Sequence, residues 1–225
     1  MEYKTWLPWY REICQHFGYD PERDYKSSSL LERLARQKLP DLQFSKIFRS
    51  LEISVIGNGP RLKEILDTHT VKVPFVADSA LPVFYKMVGP PPVIVTDLDG
   101  DQPLILRCQE EGSMLVVHAH GDNTDALEKI VPGIEAEILC TTQNFPFGNI
   151  YNFGGFTDGD RSAFLADHVQ AKSIELVGFD FDSPVSKPGS NISVKKEKLQ
   201  YARRLLRQLA SDRRKTWREG GIIEI

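Results

Sequence analysis

From Leu51 onward the chain alternates short apolar runs with stretches of mixed polarity. Six runs stand out, at residues 51–57 (LEISVIG), 71–78 (VKVPFVAD), 92–100 (PVIVTDLDG), 112–122 (GSMLVVHAHGD), 136–143 (AEILCTTQ) and 173–182 (SIELVGFDFD). Each is rich in β-branched residues, apolar on both faces, and closed by glycine or a polar residue. That pattern predicts strands of a parallel sheet buried beneath helices. The expected fold is therefore α/β, a Rossmann-like, mostly parallel sheet with helices on both faces.

Residues 1–48 have a different texture. Trp6, Trp9, Tyr10, Ile13 and Phe17 recur at helical spacing, which predicts a helix with an apolar, core-facing stripe. Asp20-Pro21 reads as a turn, and the serines at 27–29 as the cap of a second helix over LLERLARQKL that stops before Pro40. A small helical N-terminal appendage (1–48) followed by the α/β catalytic domain (49–225) is the expected organisation. Near the C-terminus VKKEKLQYARRLLRQLASDRRKTWREGG predicts a basic amphipathic helix, and IIEI a short strand. Basic helices are usually solvated faces, less often phosphate or partner surfaces. SPVSKPGSNIS, just before it, reads as an exposed loop.

Composition narrows the function classes. With 28 lysines and arginines against 31 acidic residues, the chain has no electrostatic pull towards nucleic acid or an anionic membrane. Cys14, Cys108 and Cys140 form no C-x-x-C pair and have no histidines at zinc-site spacing, so ordinary thiols are expected. The first twenty residues contain neither a signal-peptide core nor a membrane anchor, and the expectation is a cytoplasmic protein. The aromatic N-terminal helices offer a surface that could pair subunits in a homodimer.

Polar residues gather where the apolar runs stop, the edge at which parallel sheets bind ligands. The run at 92–100 ends in Asp97 and Asp99, two carboxylates that repel unless a cation or proton lies between them. Alternation along a strand would put them on one side, and Mg2+ favours such oxygen ligands. A capped helix or Asp-Gly turn is the plainer alternative. The next run adds Asp122 and Asp125, a second acidic cluster that shifts the balance towards a metal site. Gly57-Asn58-Gly59-Pro60 can bring backbone close to a phosphate at a helix start, or simply turn the chain. In NFGGFTDGDRSAF, Asp160 can cap a helix, or the loop can close over a ring and a phosphate, Phe153 or Phe156 stacking and Arg161 pairing with the anion. His118 and His120 could ligate zinc, yet the oxygen-rich surroundings favour a hard cation and leave them supporting or substrate contacts.

The ordered set TDLDG, GDNTD and GGFTDGDR, with ADSAL upstream, resembles the archaeal 6-hydroxymethyl-7,8-dihydropterin pyrophosphokinase family over about residues 50–185. It is similar, more distantly, to thiamine pyrophosphokinases, although Phe156 stands where those carry an arginine. The resemblance implies Mg2+-dependent transfer of pyrophosphate from ATP to a reduced pterin alcohol, with AMP as the other product, in methanopterin or folate synthesis. By position it implies Asp97, Asp99 and Asp125 as metal ligands, with Asp122 completing the catalytic set. Gly57, Asn58, Gly59, Pro60, Asp78 and Arg161 would face nucleotide phosphates. Gly154, Gly155, Phe156 and Asp158 match the third motif and would face substrate, with Asp160 or Asp180 meeting the pterin ring.

Two other functions compete. A haloacid dehalogenase-type phosphatase would use Asp97 as nucleophile and Asp99 as general acid. Against it, two strands precede the motif and Asp101 follows Gly100 where threonine is usual. A non-catalytic nucleotide-binding module is the second, which the two acidic clusters disfavour.

Overall fold

All six apolar runs are strands in the computed structural model, which describes residues 1–185 and 191–225. They form β1 (Glu52–Ile56), β2 (Val73–Ala77), β3 (Val93–Thr96), β4 (Met114–Ala119), β5 (Ile138–Thr142) and β7 (Ser173–Val177). A two-residue strand with no sequence signal, β6 (Ile150–Tyr151), pairs with β5, and the expected C-terminal strand is β8 (Ile222–Glu224). The sheet order is β6-β5-β4-β3-β2-β1-β7-β8, parallel throughout except for β8 against β7.

Side-chain alternation divides the core into two layers. On one face Val55, Phe75, Val95 and Val116 pack with α1 (Tyr3–Phe17), α3 (Asp41–Phe48), α8 (Asp158–His168) and α9 (Ile192–Asp212). On the other, Ile56, Val76, Ile94 and Val117 pack with α4 (Leu62–Thr68), α5 (Leu81–Met87), α6 (Gln102–Glu110) and α7 (Thr124–Ile130). Strands β1 to β5 advance in one direction beneath α4–α7. The chain then returns through α8 to place β7 on the other side of β1. This reversal is a topological switch point, where such sheets open a crevice at their carboxyl ends.

The aromatic stripe is core as expected: Trp6, Tyr10 and Ile13 are buried in α1. The second helix differs from expectation. It is α2 (Pro21–Leu34), begun nine residues before the expected Leu30 and ended before Gln37-Lys38-Leu39, which run extended beside β5. Asp20 is the cap, accepting a hydrogen bond from the Glu22 N–H at 3.0 Å, and Pro21 occupies the first helical position, where its missing N–H costs nothing. Ser27 and Ser28 sit inside the helix and are buried. The expected loop at 183–193 lies partly on residues 186–190, outside the described residues, and Asn191 caps α9 with its side-chain oxygen. Among the described residues no helix is long and apolar enough to cross a membrane.

Candidate active site

The carboxyl edge of the sheet opens into a cleft of about 590 Å³, a volume typical of small-ligand sites. Its floor is made by the ends of β1, β2, β3, β4 and β7, and its walls by the starts of α8 and α9 and the α1–α2 connection.

Three carboxylates from separate elements converge in this region. Asp78 follows β2 and opens a single 3-10 turn, Asp97 follows β3, and Asp158 is the first residue of α8. Each offers an oxygen within 4.8 Å of the others. The β3 tip is shaped to allow this. Thr96 donates its hydroxyl to Asp78 Oδ2 and accepts the Leu98 N–H at 2.8 Å. Leu98 takes a left-handed conformation with φ of 66°, ending the strand abruptly. Asp97 and Asp99 therefore do not continue an extended strand, and the Asp99 N–H folds back onto Asp97 Oδ1 at 3.2 Å. At Gly100 an added Cβ would lie 1.6 Å from Asp78 Oδ1, so only glycine lets the two segments meet.

Asp97 also pairs with His120 Nε2 at 3.2 Å. His120 Nδ1 accepts the Asp122 N–H at 3.3 Å, a bond that leaves Nε2 as the donor towards Asp97. Burial opposes ionisation of Asp97, but the hydrogen bond and charge of His120, with the bonds from Asp99, outweigh it and hold the carboxyl below its ordinary range. Asp158 goes the other way. Burial first, then the charge of Asp97, raise its carboxyl well above the ordinary range despite Arg161, whose Nη1 reaches it at 3.0 Å.

Buried polar side chains hold the loop after β4. Asn123 donates to the carbonyls of Asp97 at 2.8 Å and His118 at 2.7 Å, and accepts the His120 N–H at 3.0 Å. Asp24 in α2 accepts the Gly121 N–H at 2.7 Å, the Tyr10 hydroxyl at 2.7 Å and Gln143 Nε2 at 2.8 Å. Buried His118 pairs through Nδ1 with Thr141 at 3.0 Å, and desolvation drives its pKa well down.

The expected site residues fall into groups. Gly57, Asn58, Gly59, Asp97, Asp99, Asp122, Phe156, Asp158, Arg161 and Asp180 line the cleft. Asp78 touches it through the carboxylate cluster, while Asp122 pairs with Arg23 at 3.1 Å. Asp125 is exposed on the first turn of α7 and Pro60 is exposed before α4, both outside the lining. Gly154 and Gly155 shape the approach to α8: Gly155, at φ 89°, would drive a Cβ to 2.4 Å from Arg161 Cα. Asp160 is fully buried and spends both oxygens on Phe156 and Thr157 as half of a capping box. Tyr19, Arg23, Asp24, Asn123, Gln143 and Lys198 also line the cleft, and none was singled out in the sequence.

Fold and cleft define the class: a doubly wound α/β protein with a carboxylate-lined cleft at its switch point. Residues 28–185 match the model of the family described as 6-hydroxymethylpterin diphosphokinase MptE-like, and the chain belongs to that family. Three relatives bear the name 6-hydroxymethyl-7,8-dihydropterin pyrophosphokinase. The protein of Methanocaldococcus jannaschii is 35% identical across 93% of this chain and 96% of its own. That of Methanothermobacter thermautotrophicus is 38% identical across 92% and 94%, and that of Pyrococcus furiosus 37% across 95% and 96%.

Proposed function

We propose that the protein transfers pyrophosphate from ATP to 6-hydroxymethyl-7,8-dihydropterin, giving the pterin diphosphate and AMP. The observation that carries this reading is the convergence of cleft-lining Asp97 and Asp158 with the buried Asp78 beside them, in a chain belonging to this family. The donor set suits a hard cation. Octahedral Mg2+, with bonds of about 2.0–2.1 Å, spaces its ligand oxygens about 3–4 Å apart, close to what the three carboxylates offer. The convergence supports Asp78, Asp97 and Asp158 as the ligands in preference to a set containing Asp125, which stands outside the cleft. When bound there, Mg2+ neutralises phosphate charge and helps align the β-phosphorus.

The chain's own residues supply position. His120 and Asn123 fix Asp97 from side chain and backbone, and the tight β3 tip fixes Asp78. The pterin hydroxyl attacks the β-phosphorus, the bond from that phosphorus to the α-phosphate oxygen breaks, and AMP departs. In this reading Asp99, exposed within the cleft, takes the hydroxyl proton. For the pterin ring, a carboxylate complements the N–H donors of its amino-amide edge. Asp160 is consumed by its capping bonds, whereas Asp180 lines the cleft, with one oxygen accepting the Asp182 and Ser183 N–H groups at 3.0 and 2.8 Å. Asp180 is the better candidate.

Incubating the protein with ATP, Mg2+ and the dihydropterin alcohol tests the proposal through the nucleotide product. AMP with pterin diphosphate is expected. ADP, free phosphate released from small phosphate esters, or no turnover would overturn it in favour of a simple kinase, a phosphatase or a binding module.

A further inference from the structure

Arg23, Arg161, Lys195 and Lys198 are the cations lining the cleft among the described residues. The first three are committed within the protein. Arg23 holds the Gly121 carbonyl at 2.9 Å and Asp122 at 3.1 Å; Arg161 holds Asp158 and the Phe156 carbonyl; Lys195 Nζ donates to the Val185 carbonyl at 2.6 Å. Elsewhere on α9, Arg203 and Arg207 pair with Glu219, and Arg204 with Glu12.

Lys198 differs. Its ammonium stands 5.5 Å from the centroid of the Tyr19 ring and 5.6 Å from that of Phe156, and among the described residues no carboxylate is paired with it. Cation–π contact of this kind contributes only about 0.5–1 kcal/mol near the surface. The ammonium is held in place without being neutralised. Phe156, one of the rings beneath it, precedes Asp158 by two residues, so the same helix start presents a carboxylate of the acidic cluster and a seat for the positive charge.

We infer that Lys198 is a phosphate-binding residue of this cleft, gripping the polyphosphate of the nucleotide while Tyr19 and Phe156 fix its ammonium. The ligand class rests on the diphosphokinase reading above. A lysine suits the task, because a compact charge with three rotatable donors can follow oxygens as the pyrophosphoryl group moves from nucleotide to alcohol. The basic helix expected to be a solvated face turns two of its lysines, Lys195 and Lys198, towards the cleft.

The test measures binding of α,β-methylene-ATP, with Mg2+, and of inorganic pyrophosphate by calorimetry to the intact protein and to Lys198→Met, Lys198→Arg and Lys196→Met. Thermal melts check each fold. Losing one charged hydrogen-bond donor should weaken both ligands about 10- to 100-fold in Lys198→Met. Arginine should restore most of that, and Lys196→Met, altered at an exposed neighbour outside the cleft, should bind within about twofold of wild type. Adenosine, lacking phosphate, should bind all four proteins alike. A folded Lys198→Met that binds both polyphosphates normally overturns the inference, as does an equal loss for adenosine or a wild-type protein that binds neither polyphosphate. Failure of the diphosphokinase reading shows separately, as wild-type protein that binds the nucleotide yet forms no AMP with the pterin alcohol.

Discussion

Replacing Asp24 by alanine should cost about 4 kcal/mol of stability and disturb the catalytic loop from outside it. The buried carboxylate gathers three donors: the Tyr10 hydroxyl, Gln143 Nε2 and the Gly121 N–H. Burial, then the bond to Asp24, raises the Tyr10 hydroxyl far above its ordinary pKa, so it stays a donor. Alanine leaves all three without an acceptor. Water from the adjoining cleft can reach the Gly121 side, while the other two donors remain enclosed at about 1–3 kcal/mol each. Urea unfolding should report the sum, and a thermal melt a fall of roughly 8–16 °C for a chain this long. Asp24→Asn should lose less, because its carbonyl can face Gly121 while Tyr10 rotates to accept. Since Gly121 follows the histidine that holds Asp97, both variants should also lower kcat more than they raise KM. An alanine variant within about 1 kcal/mol of wild type would refute the view that this carboxylate ties the N-terminal helices to the site.

Asp97→Asn and Asp158→Asn should each lower pyrophosphoryl transfer by at least about 100-fold, whereas Asp125→Asn should stay within about threefold; steady-state kinetics on the three variants separate the converging triad from the set expected by sequence. Gly100→Ala should displace Asp78, with loss of activity and a lower melting temperature, because the new methyl would occupy the place of its oxygen. Asp158→Asn should melt a few degrees higher than wild type in metal-free buffer at neutral pH. Burial and the Asp97 charge raise the folded-state pKa of Asp158 above the unfolded value of about 3.9, so ionising it costs stability at neutral pH. That cost fades as pH falls through the folded value towards the unfolded one, and the gap between variant and wild type should close with it.

The sheet was legible because its strands are apolar on both faces, and the ligand edge because polar residues collect at their ends. The start of α2 was not, since Asp-Pro serves a turn and a helix cap equally well and only the Glu22 N–H decides between them. Strand β6, two residues long, carries no periodicity. Within the cleft, Asp97 and Asp158 were visible as carboxylates at element ends, but pairing Asp97 with Asp99 assumed an extended backbone that Leu98 breaks. Asp24, Asn123 and Lys198 depend on what tertiary packing sets opposite them. A signal for Asp24 did exist: Asp24, Ser27, Ser28 and Leu31 recur at helical spacing, and three polar residues on a stripe ending in leucine mark a face buried against other polar groups.

Asp97 and Asp158 are pushed in opposite directions although they belong to one cluster, and the cause lies in their partners. His120 favours the charge on Asp97, and that charge then bears on Asp158, which has lost more solvent than Arg161 restores. Two acids so divided make the free site costly to ionise fully, which is the usual price of a site built for a ligand it must wait for. The conformation at the β3 tip follows the same logic. A straight strand would separate Asp78 from the tip, whereas the left-handed Leu98 and the side-chain-free Gly100 bring it within reach. Relieving the cluster's repulsion at Asp158 should therefore stabilise the free protein and weaken its function together, as Asp158→Asn is expected to do.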